Sequence, residues 1–463
     1  MNHIAKFRFF VGLGIISLMM ASSCKDDTTG INHDPTRPIT ITSFYPDSGR
    51  ITEKIIFSGE NLGTHPEQIR VWFDDRKAKV VGSDGSDMYV VCPRIGRDTE
   101  CTVSVAIGGD SIVLDRKFRY RVSVTVSTVA GNGINEFKDG PLATATLRPR
   151  YLAVDRDGNV FGIQRSDGTM ALILIDEEEN TVTKIQDIQP YDPNALCIFK
   201  DGIICIPADW PNDTYFEADP ALGWAVKEKH VNFSTADKYP AWDAGGEWSI
   251  NGNTGRYKHS MAACDWDGKV YCRWRNGSIG RFSRETGDVE WLYNTPHGDS
   301  YGCAFDPRNP TILYLAYTGD VQEGQGHAIY TIDVSVPDQM MLDADNVWKP
   351  SPASTYTRIS SPITGGGFRN GPINQARFWD PCQIYFDPDG VLYIADRSNH
   401  CIRRLTTEGI VETVVGIPGQ QGMMDGPADE ALFRAPYGLG VAPDGSVYVA
   451  DYDNARVRKL TIE

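Results

Sequence analysis

Two segments of the chain repeat each other, and this repetition limits the possible fold more than any other feature. Residues 382–405 read CQIYFDPDGVLYIADRSNHCIRRL, and residues 437–460 read YGLGVAPDGSVYVADYDNARVRKL. Each copy has an alternating apolar strand, a Pro-Asp-Gly turn, a second strand ending in Ala-Asp, a loop with Asn, and a third strand ending in Arg-x-Leu. Self-similarity of this kind indicates an architecture of stacked repeats.

Each repeat predicts a small antiparallel sheet. The Asp-Gly pairs at 389–390 and 444–445 favour tight hairpin turns, because that geometry needs positive φ. Segment VETVVG (411–416) supplies a fourth strand after the first copy. Asp396 and Asp451 recur at equivalent positions, and we expect their carboxylates to cap the loop that follows.

Weaker copies of the pattern begin earlier in the chain, at residues 151, 196, 261 and 303. Together with the two strong copies they make six starts. A sheet that cannot bury its faces alone becomes stable when neighbours stack round an axis, so six blades closing a ring are predicted.

The end of the chain predicts how such a ring closes. The last copy stops after its third strand, at residues 460–462. VSTVAG (126–131) matches VETVVG (411–416), and both lead into Asp-Gly-Pro, at 139–141 and 425–427. We therefore expect the strand at 126–131 to complete the last sheet, which leaves no row of unpaired amides at that edge.

The repeat resembles the NHL repeat, and the resemblance implies that residues 122–463 form a six-bladed β-propeller of the NHL or TolB-like type. In propellers the loops between blades and those between second and third strands share one face around the central channel. Such loops, held by a rigid scaffold, are the expected place for a site. In this chain they include residues 148–151, 209–213, 273–278, 318–327, 379–382, 397–399 and 434–437.

Residues 38–121 predict a separate small β-sandwich, because short alternating runs are divided by turn residues every 8–12 positions. The segment resembles an immunoglobulin-like IPT/TIG domain in five motifs: Pro46-x-Ser48-Gly49, Gly59-x-Asn61-Leu62-Gly63, Val71-x-Phe73, Cys92-Pro93 and Phe118-x-Tyr120. Gly59 and Gly63 are expected to take turn conformations closed to other residues. The resemblance implies a spacer without a ligand of its own.

The first 23 residues are interpreted as a signal peptide, with a basic start, an apolar run and the small residues 21–23. Cys24 follows, and the pattern resembles a bacterial lipobox, which implies lipid attachment at Cys24; the alternative is a plain secretory signal. Residues 24–37 form a polar tether. Lys25-Asp26-Asp27 resembles the surface-export signal of Bacteroidetes lipoproteins, which implies the cell-surface side of the outer membrane rather than the periplasm.

The net charge of the chain makes one class of partner, nucleic acid, improbable. Removal of residues 1–23 takes away two basic and no acidic residues, so the net charge moves from −16 to −18. This net negative charge is unfavourable for binding nucleic acid, whose phosphates are bound by Lys and Arg.

Nine cysteines follow Cys24, and the pairs 92/101, 197/205 and 264/272 flank possible turns. They are candidate disulfides or small buried apolar residues, and both readings stay open.

The largest departure from the repeat is residues 210–258, which are rich in Trp and Tyr. Flat aromatic surfaces beside polar groups suit sugar rings, whereas the alternative is that these rings pack the insertion onto the blades. The predicted ligand-binding residues are Trp210, Tyr215, Trp242, Trp248 and Tyr257 from this segment, with Arg150, Trp379 and Tyr437 from the channel-facing loops.

These features predict a non-catalytic lipoprotein that binds a polysaccharide or oligosaccharide in a polysaccharide-utilisation system, anchored to the membrane by its lipid. No catalytic motif, metal-ligand set or cofactor motif is recognised, and His259, His297 and His327 are interpreted as ordinary surface histidines. Two alternatives remain: a propeller enzyme acting on a carbohydrate or lactone, and a scaffold that docks an outer-membrane transporter.

Overall fold

The protein was analysed as a computed structural model. It describes residues 30, 32–95, 99–166, 168–189, 191–209, 211, 213–232, 257–295, 298–319, 324–336, 339–342, 344 and 348–463. The chain divides into two compact units, Met1–Arg121 and Val122–Glu463. Neither unit has an α-helix in its described part, so the all-β prediction is confirmed.

The described residues include five one-turn 3₁₀ helices: Pro66–Gln68, Pro220–Leu222, Ile373–Gln375, Arg397–Asn399 and Tyr452–Asn454. Within the described ranges, no helix has the length and apolar character needed to cross a membrane.

The first unit consists of two sheets. Its strands are β1 (Thr40–Tyr45), β2 (Ser48–Gly49), β3 (Lys54–Glu60), β4 (Ile69–Phe73), β5 (Arg76–Ser83), β6 (Asp87–Val91), β7 (Thr99–Cys101), β8 (Val103–Ile107), β9 (Asp110–Val113) and β10 (Phe118–Tyr120). Seven strands form one sheet in the order β1-β3-β6-β5-β4-β8-β9, and three form the other in the order β2-β10-β7.

An aromatic core fills the first unit. The rings of Phe44 and Phe57 lie 5.3 Å apart, and those of Phe73 and Phe118 lie 5.0 Å apart, edge to face. Gly59 corrects one prediction, because its φ is not positive. A Cβ at this position would lie 1.9 Å from the Thr40 carbonyl oxygen, so glycine is needed for the close approach of β1 and β3.

The second unit contains six sheets of four or five strands in its described part. After β11 (Val124–Ala130), the first sheet has β12 (Gly140–Pro141), β13 (Pro149–Val154), β14 (Val160–Ser166), β15 (Thr169–Asp176) and β16 (Thr181–Asp187). The second has β17 (Cys197–Ile198), β18 (Ile204–Pro207), β19 (Thr214–Asp219) and β20 (Ala225–His230). The third has β21 (Lys258–Ala263), β22 (Val270–Trp274), β23 (Ser278–Phe282) and β24 (Val289–Asn294).

The remaining strands follow in chain order. The fourth sheet has β25 (Gly302–Asp306), β26 (Asn309–Tyr317), β27 (Ala328–Asp333) and, after the two-stranded ribbon of β28 (Met340–Leu342) and β29 (Trp348–Pro350), β30 (Thr357–Arg358). The fifth has β31 (Gly371–Pro372), β32 (Pro381–Phe386), β33 (Leu392–Asp396), β34 (Cys401–Leu405) and β35 (Ile410–Val415). The sixth joins β36 (Gly426–Pro427), β37 (Pro436–Val441), β38 (Val447–Asp451) and β39 (Arg456–Ile462) to β11.

The first strands of the six sheets contact one another in a closed cycle. β13 contacts β17, β17 contacts β21, β21 contacts β25, β25 contacts β32, β32 contacts β37, and β37 returns to β13. Each of these strands contains or borders one of the six starts recognised in the sequence. Sheets arranged radially in this way give a β-propeller-like unit with a central channel.

The predicted closing strand is confirmed. β11 pairs antiparallel with β39, with Val126 opposite Leu460 and Thr125 opposite Thr461. The predicted similarity of the Asp-Gly-Pro segments also has a structural counterpart, because Gly140–Pro141 adds to β16 and Gly426–Pro427 adds to β11. The sixth sheet therefore joins the start and the end of the second unit.

The hairpin turn at residues 389–390 and the role of Asp396 both differ from the prediction. At the hairpin between β32 and β33 only Gly390 has positive φ (82°), and the turn spans residues 387–391 rather than two residues. The Asp396 carboxylate caps no backbone group of the loop that follows. It accepts hydrogen bonds instead from the Trp379 N–H, the Asn399 amide and the Arg403 guanidinium.

No cysteine in the described residues is in a disulfide. Cys197 and Cys205 are register partners on β17 and β18, and both are buried. Cys272 faces Met261 rather than Cys264. Apart from the partly buried Cys303, these thiols lie within the cores, as small apolar residues do.

Candidate ligand-binding site

A cavity opens where the inner strands of the second unit begin. Its volume is about 540 Å³, within the range of roughly 300–1,000 Å³ typical of small-molecule pockets. We call it the mouth cavity, and its lining residues are Asp192, Asp209, Tyr257, His259, Arg275, Asp299 and Tyr301. Every one of these side chains is polar or aromatic.

Asp209 lies on the side of the mouth cavity that follows β18. The Asn194 amide donates to its Oδ1 at 2.6 Å, and Arg165 Nη2 lies 3.9 Å from its Oδ2. Burial outweighs these contacts and raises the pKa of Asp209 to about 6. Arg165 also forms a closer pair with Asp192, at 2.8 Å. This side therefore combines two carboxylates with one guanidinium.

Asp299 lies on another side of the mouth cavity, three residues before β25. The Tyr301 hydroxyl donates to its Oδ2 at 3.1 Å, and Arg275 Nε lies 3.4 Å from its Oδ1. Although Oδ1 is buried, no described residue makes a hydrogen bond to it. Buried carboxylate oxygens normally have such a partner, so this atom is available to a ligand hydroxyl.

His259 forms the floor between these two acidic sides. Its ring is 3% exposed and stacks on Tyr301 at a centroid distance of 4.8 Å. Nε2 lies 4.0 Å from Asp209 and Nδ1 lies 3.8 Å from Asp299. Burial and the nearby Arg273 and Arg275 guanidinium groups hold the pKa of His259 well below its usual value, so the ring is neutral. The interpretation of His259 as a surface histidine was wrong.

Arg150 and Tyr437, two predicted binding residues, come together beside the mouth cavity. The Arg150 guanidinium lies 4.2 Å from the Tyr437 ring centre and 5.0 Å from that of Tyr301, and Nη2 donates to the Tyr437 hydroxyl. Tyr437 is 3% exposed and packs edge-on against Tyr151. Its predicted role in direct ligand binding is therefore corrected, since the ring is covered by protein.

The other predicted residues have different outcomes. Tyr257 lines the mouth cavity, and Trp379 is 48% exposed just before β32, at the same end of the inner strands. Tyr215 is 1% exposed and packs against Phe282, so its prediction is wrong: β19 turns this ring into the core. The remaining predicted residues, Trp210, Trp242, Trp248 and the lipid-attachment residue Cys24, lie outside the described residues, as does His297.

Most residues of the mouth cavity are not marked individually by the sequence. Asp209 and Arg275 belong to loops that are predicted to lie on the channel face, and this is the signal that points to them. Asp192, Asp299 and Tyr301 occupy segments leading into the inner strands, where repeat similarity is weak. Only the packing of three consecutive sheets against one another brings these residues together.

One family model matches part of the chain. Residues 38–120 match the IPT/TIG domain. The chain therefore contains an IPT/TIG domain, followed by the β-propeller-like unit.

Similar solved structures come from Bacteroides. A protein of unknown function from Bacteroides thetaiotaomicron has a TM-score of 0.73 and 22% identity, covering 93% of this chain and 100% of that chain. An auxiliary nutrient binding protein from Bacteroides ovatus has a TM-score of 0.56 and 20% identity, also covering 93% and 100%. At these identities the likeness shows a shared fold.

Curated relatives match a short segment. Mouse teneurin-3 is 36% identical over 88 residues, which is 16% of this chain and 3% of teneurin-3. Zebrafish teneurin-3 is 37% identical over 87 residues, or 15% of this chain. The chain thus spans only about 3% of the length of these relatives.

Proposed function

We propose that the protein is a non-catalytic binding lipoprotein and that the mouth cavity takes an oligosaccharide or the end of a polysaccharide. The observation that carries the proposal is the set of polar side chains around about 540 Å³ of open space, including the buried Asp299 Oδ1 without a hydrogen bond from any described residue. Sugar hydroxyls both donate and accept hydrogen bonds, so they match carboxylates and guanidinium groups set side by side.

The aromatic residues near the mouth cavity support a sugar over a simple ion. Tyr257 contributes to the wall, and the half-exposed Trp379 lies at the same end of the channel. An exposed indole at the same end of the channel would supply an apolar surface for the C–H face of a further sugar ring of a long ligand. Similar proteins in Bacteroides include auxiliary nutrient binding proteins from two species, which supports a nutrient as the ligand.

The same proposal includes the architecture of the second unit, the membrane anchor and the partner protein. The six sheets act as the blades of one six-bladed β-propeller, supported by the closed cycle of their inner strands. The IPT/TIG domain acts as a spacer between this propeller and a lipid on Cys24, at the outer-membrane surface. An outer-membrane transporter is the proposed partner, because a large oligosaccharide held outside the cell needs a route inward.

The proposal is tested with a glycan array followed by calorimetry on the best ligand. Asp299→Asn and Arg275→Gln should each weaken binding by about tenfold or more, since a hydrogen bond to a charged group contributes roughly 1.5–3 kcal/mol. Glu178→Gln, at an exposed position of the second unit away from the mouth cavity, is the matched control and should leave affinity unchanged. The proposal fails if no glycan binds, or if all three variants bind like the wild type.

One observation favours an enzyme as the second candidate. The pKa of Asp209 is raised to about 6 by burial, and that of the adjacent buried Lys258 is lowered to about 8. Carboxyl groups with raised pKa values serve as general acids in glycoside cleavage. Incubation of the array-selected glycan with the protein distinguishes the two candidates. Products that disappear in Asp209→Asn would establish the enzyme, whereas an unchanged glycan supports binding alone.

A further inference from the structure

A second cavity lies at the other ends of the inner strands, where β13, β21, β25, β32 and β37 finish. Its volume is about 600 Å³, and we call it the far cavity. Tyr301 borders both the far cavity and the mouth cavity, so its ring lies where the two approach each other. The two cavities differ sharply in the chemistry of their walls.

The wall of the far cavity is mainly apolar. Leu196, Met261, Ala262, Ile384 and Val441 all line it, and each of them is no more than 6% exposed in the folded chain. Apolar side chains from four different sheets thus face one space. Such a wall gains free energy when it contacts an apolar molecule instead of water.

The polar groups deeper in the far cavity are uncharged. Burial raises the pKa of Tyr385 to about 12 and also raises that of Cys303, so the phenol and the thiol keep their protons at neutral pH. The Gln383 amide is bonded to backbone groups of Leu152 and Leu439. A ligand beside Gln383, Tyr385 and Cys303 would therefore meet an amide, a hydroxyl and a thiol, none of which is charged.

The rim of the far cavity carries a negative balance. Four carboxylates line the far cavity, those of Asp155, Asp265, Asp306 and Asp387, against the two cationic side chains of Arg156 and Lys200. Asp306 is buried and pairs with Arg308 at 3.3 Å, which leaves a smaller negative excess. Lys200 Nζ is already paired with Asp265 Oδ2 at 2.7 Å. An anion entering the channel from this side has to pass like charges, which disfavours it.

We propose that the far cavity is a second binding site, which takes a small, uncharged, mainly apolar molecule of about three aromatic rings. The space and wall suit an apolar body, the Tyr385 hydroxyl can bond one polar substituent, and the rim excludes anions. This site is independent of the glycan proposed for the mouth cavity, because the two share only Tyr301 among their lining residues.

The test compares two fluorescent probes with the same ring skeleton, N-phenyl-1-naphthylamine, which is neutral, and 1-anilinonaphthalene-8-sulfonate, which is an anion. The neutral probe should bind the full-length protein saturably at one site. The sulfonate should bind with an affinity at least about tenfold lower, which corresponds to a difference of roughly 1.4 kcal/mol in binding free energy. Equal binding of the two probes, or no saturable binding of the neutral one, overturns the proposal.

Two variants locate the site. Ala263→Phe fills the far cavity and should weaken the neutral probe about tenfold, whereas Ala225→Phe, on an exposed strand position outside it, should not. Should Ala263→Phe fail to fold, Asp265→Lys at the exposed rim keeps the test decisive, because it should strengthen binding of the sulfonate. Neutral-probe binding that is unchanged in a folded Ala263→Phe, or sulfonate binding that is unchanged in Asp265→Lys, refutes the assignment.

Discussion

Arg403 Nη1 lies 2.7 Å from Asp396 Oδ2, and neither side chain is exposed to solvent. The same relationship recurs one sheet later, where Arg458 Nη1 lies 2.8 Å from Asp451 Oδ2, again with both side chains fully buried. In both copies the carboxylate also accepts hydrogen bonds from an Asn amide and from a backbone N–H of the preceding loop. The Ala-Asp and Arg-x-Leu elements of the repeat are thus two ends of one buried ion pair.

Replacing one member of this pair should destabilise the second unit strongly. In Arg403→Met the Asp396 carboxylate would stay buried without its cation, which costs about 3–5 kcal/mol of unfolding free energy. Arg404→Gln, in the next residue of the same strand, removes a partly exposed pair with Glu412 and should cost less, about 1 kcal/mol. Urea unfolding of both variants measures the difference, and equal losses would contradict the role assigned to burial.

The closing strand can be tested at two adjacent positions. Val126→Asp places a carboxylate in the buried seam between β11 and β39 and should lower stability by about 3–5 kcal/mol. Thr125→Asp changes the neighbouring residue, which points outward, and should have an effect within about 0.5 kcal/mol. Thermal unfolding provides the comparison. If Val126→Asp unfolded at the same temperature as the wild type, the pairing of β11 with β39 would contribute little to the stability of the second unit.

Gln383 joins three inner strands through one side chain. From β32 its Oε1 accepts hydrogen bonds from the backbone N–H groups of Leu152 and Leu439, and its Nε2 donates to the Leu152 carbonyl. Gln383→Leu would leave these buried groups unsatisfied and should cost about 2–4 kcal/mol.

Gln186 provides a matched control for this prediction, because its side chain makes a similar pair of bonds to the backbone of Val226 at an exposed position. Gln186→Leu should therefore cost less than about 1 kcal/mol. Chemical denaturation of the two variants measures both losses. Similar losses would show that Gln383 does not hold the inner strands together.

Acid should lower the unfolding free energy of the second unit through protonation of Asp380. Burial alone would raise the pKa of this carboxyl, but the His327 ring, with Nδ1 3.3 Å from Oδ1, and hydrogen bonds from the Ser398 hydroxyl and the Gly319 N–H lower it to about 2. Because the folded-state pKa lies below the unfolded value, the carboxylate stabilises the fold above about pH 4, by roughly 2 kcal/mol, and this contribution is lost as pH falls from about 4 to 2.

Asp380→Asn should remove that part of the pH dependence. Unfolding free energies of the wild type and the variant, measured between pH 2 and 7, should differ most at neutral pH and converge at the acid end. A difference that stays constant over the whole range would exclude an ionised Asp380 as the source.

Much of the second unit was predictable because its stabilising interactions repeat. Period-two alternation and recurrent turn residues predict the starts of the six sheets and the turns of their hairpins. Direct similarity between segments predicts the strand that pairs with residues 126–131. Gly59 and Asp396 show where such reasoning stops. The sequence marks both as special, but the reason for each is a contact with a residue distant in the chain, Thr40 in one case and Arg403 with Trp379 in the other.

The candidate site was predicted less well than the fold. Aromatic content drew attention to Tyr215, and a channel-facing loop drew attention to Tyr437. A tyrosine packs into the core or faces a cavity depending on register and on its neighbours in space. His259 and Asp299 carry no local pattern that separates them from other polar residues. Their roles follow from burial and from stacking against Tyr301, and those quantities exist only in the assembled ring.

The sequence by itself determined the all-β class, the repeated hairpins, the IPT/TIG segment and the strand that closes the last sheet, because each depends on local alternation, turn chemistry or direct similarity between segments. Only the tertiary structure decided which polar residues meet at the two ends of the channel, which tyrosines are covered and which carboxylates titrate abnormally. Those outcomes depend on distances and desolvation among side chains from different sheets, and no local pattern in the chain encodes them.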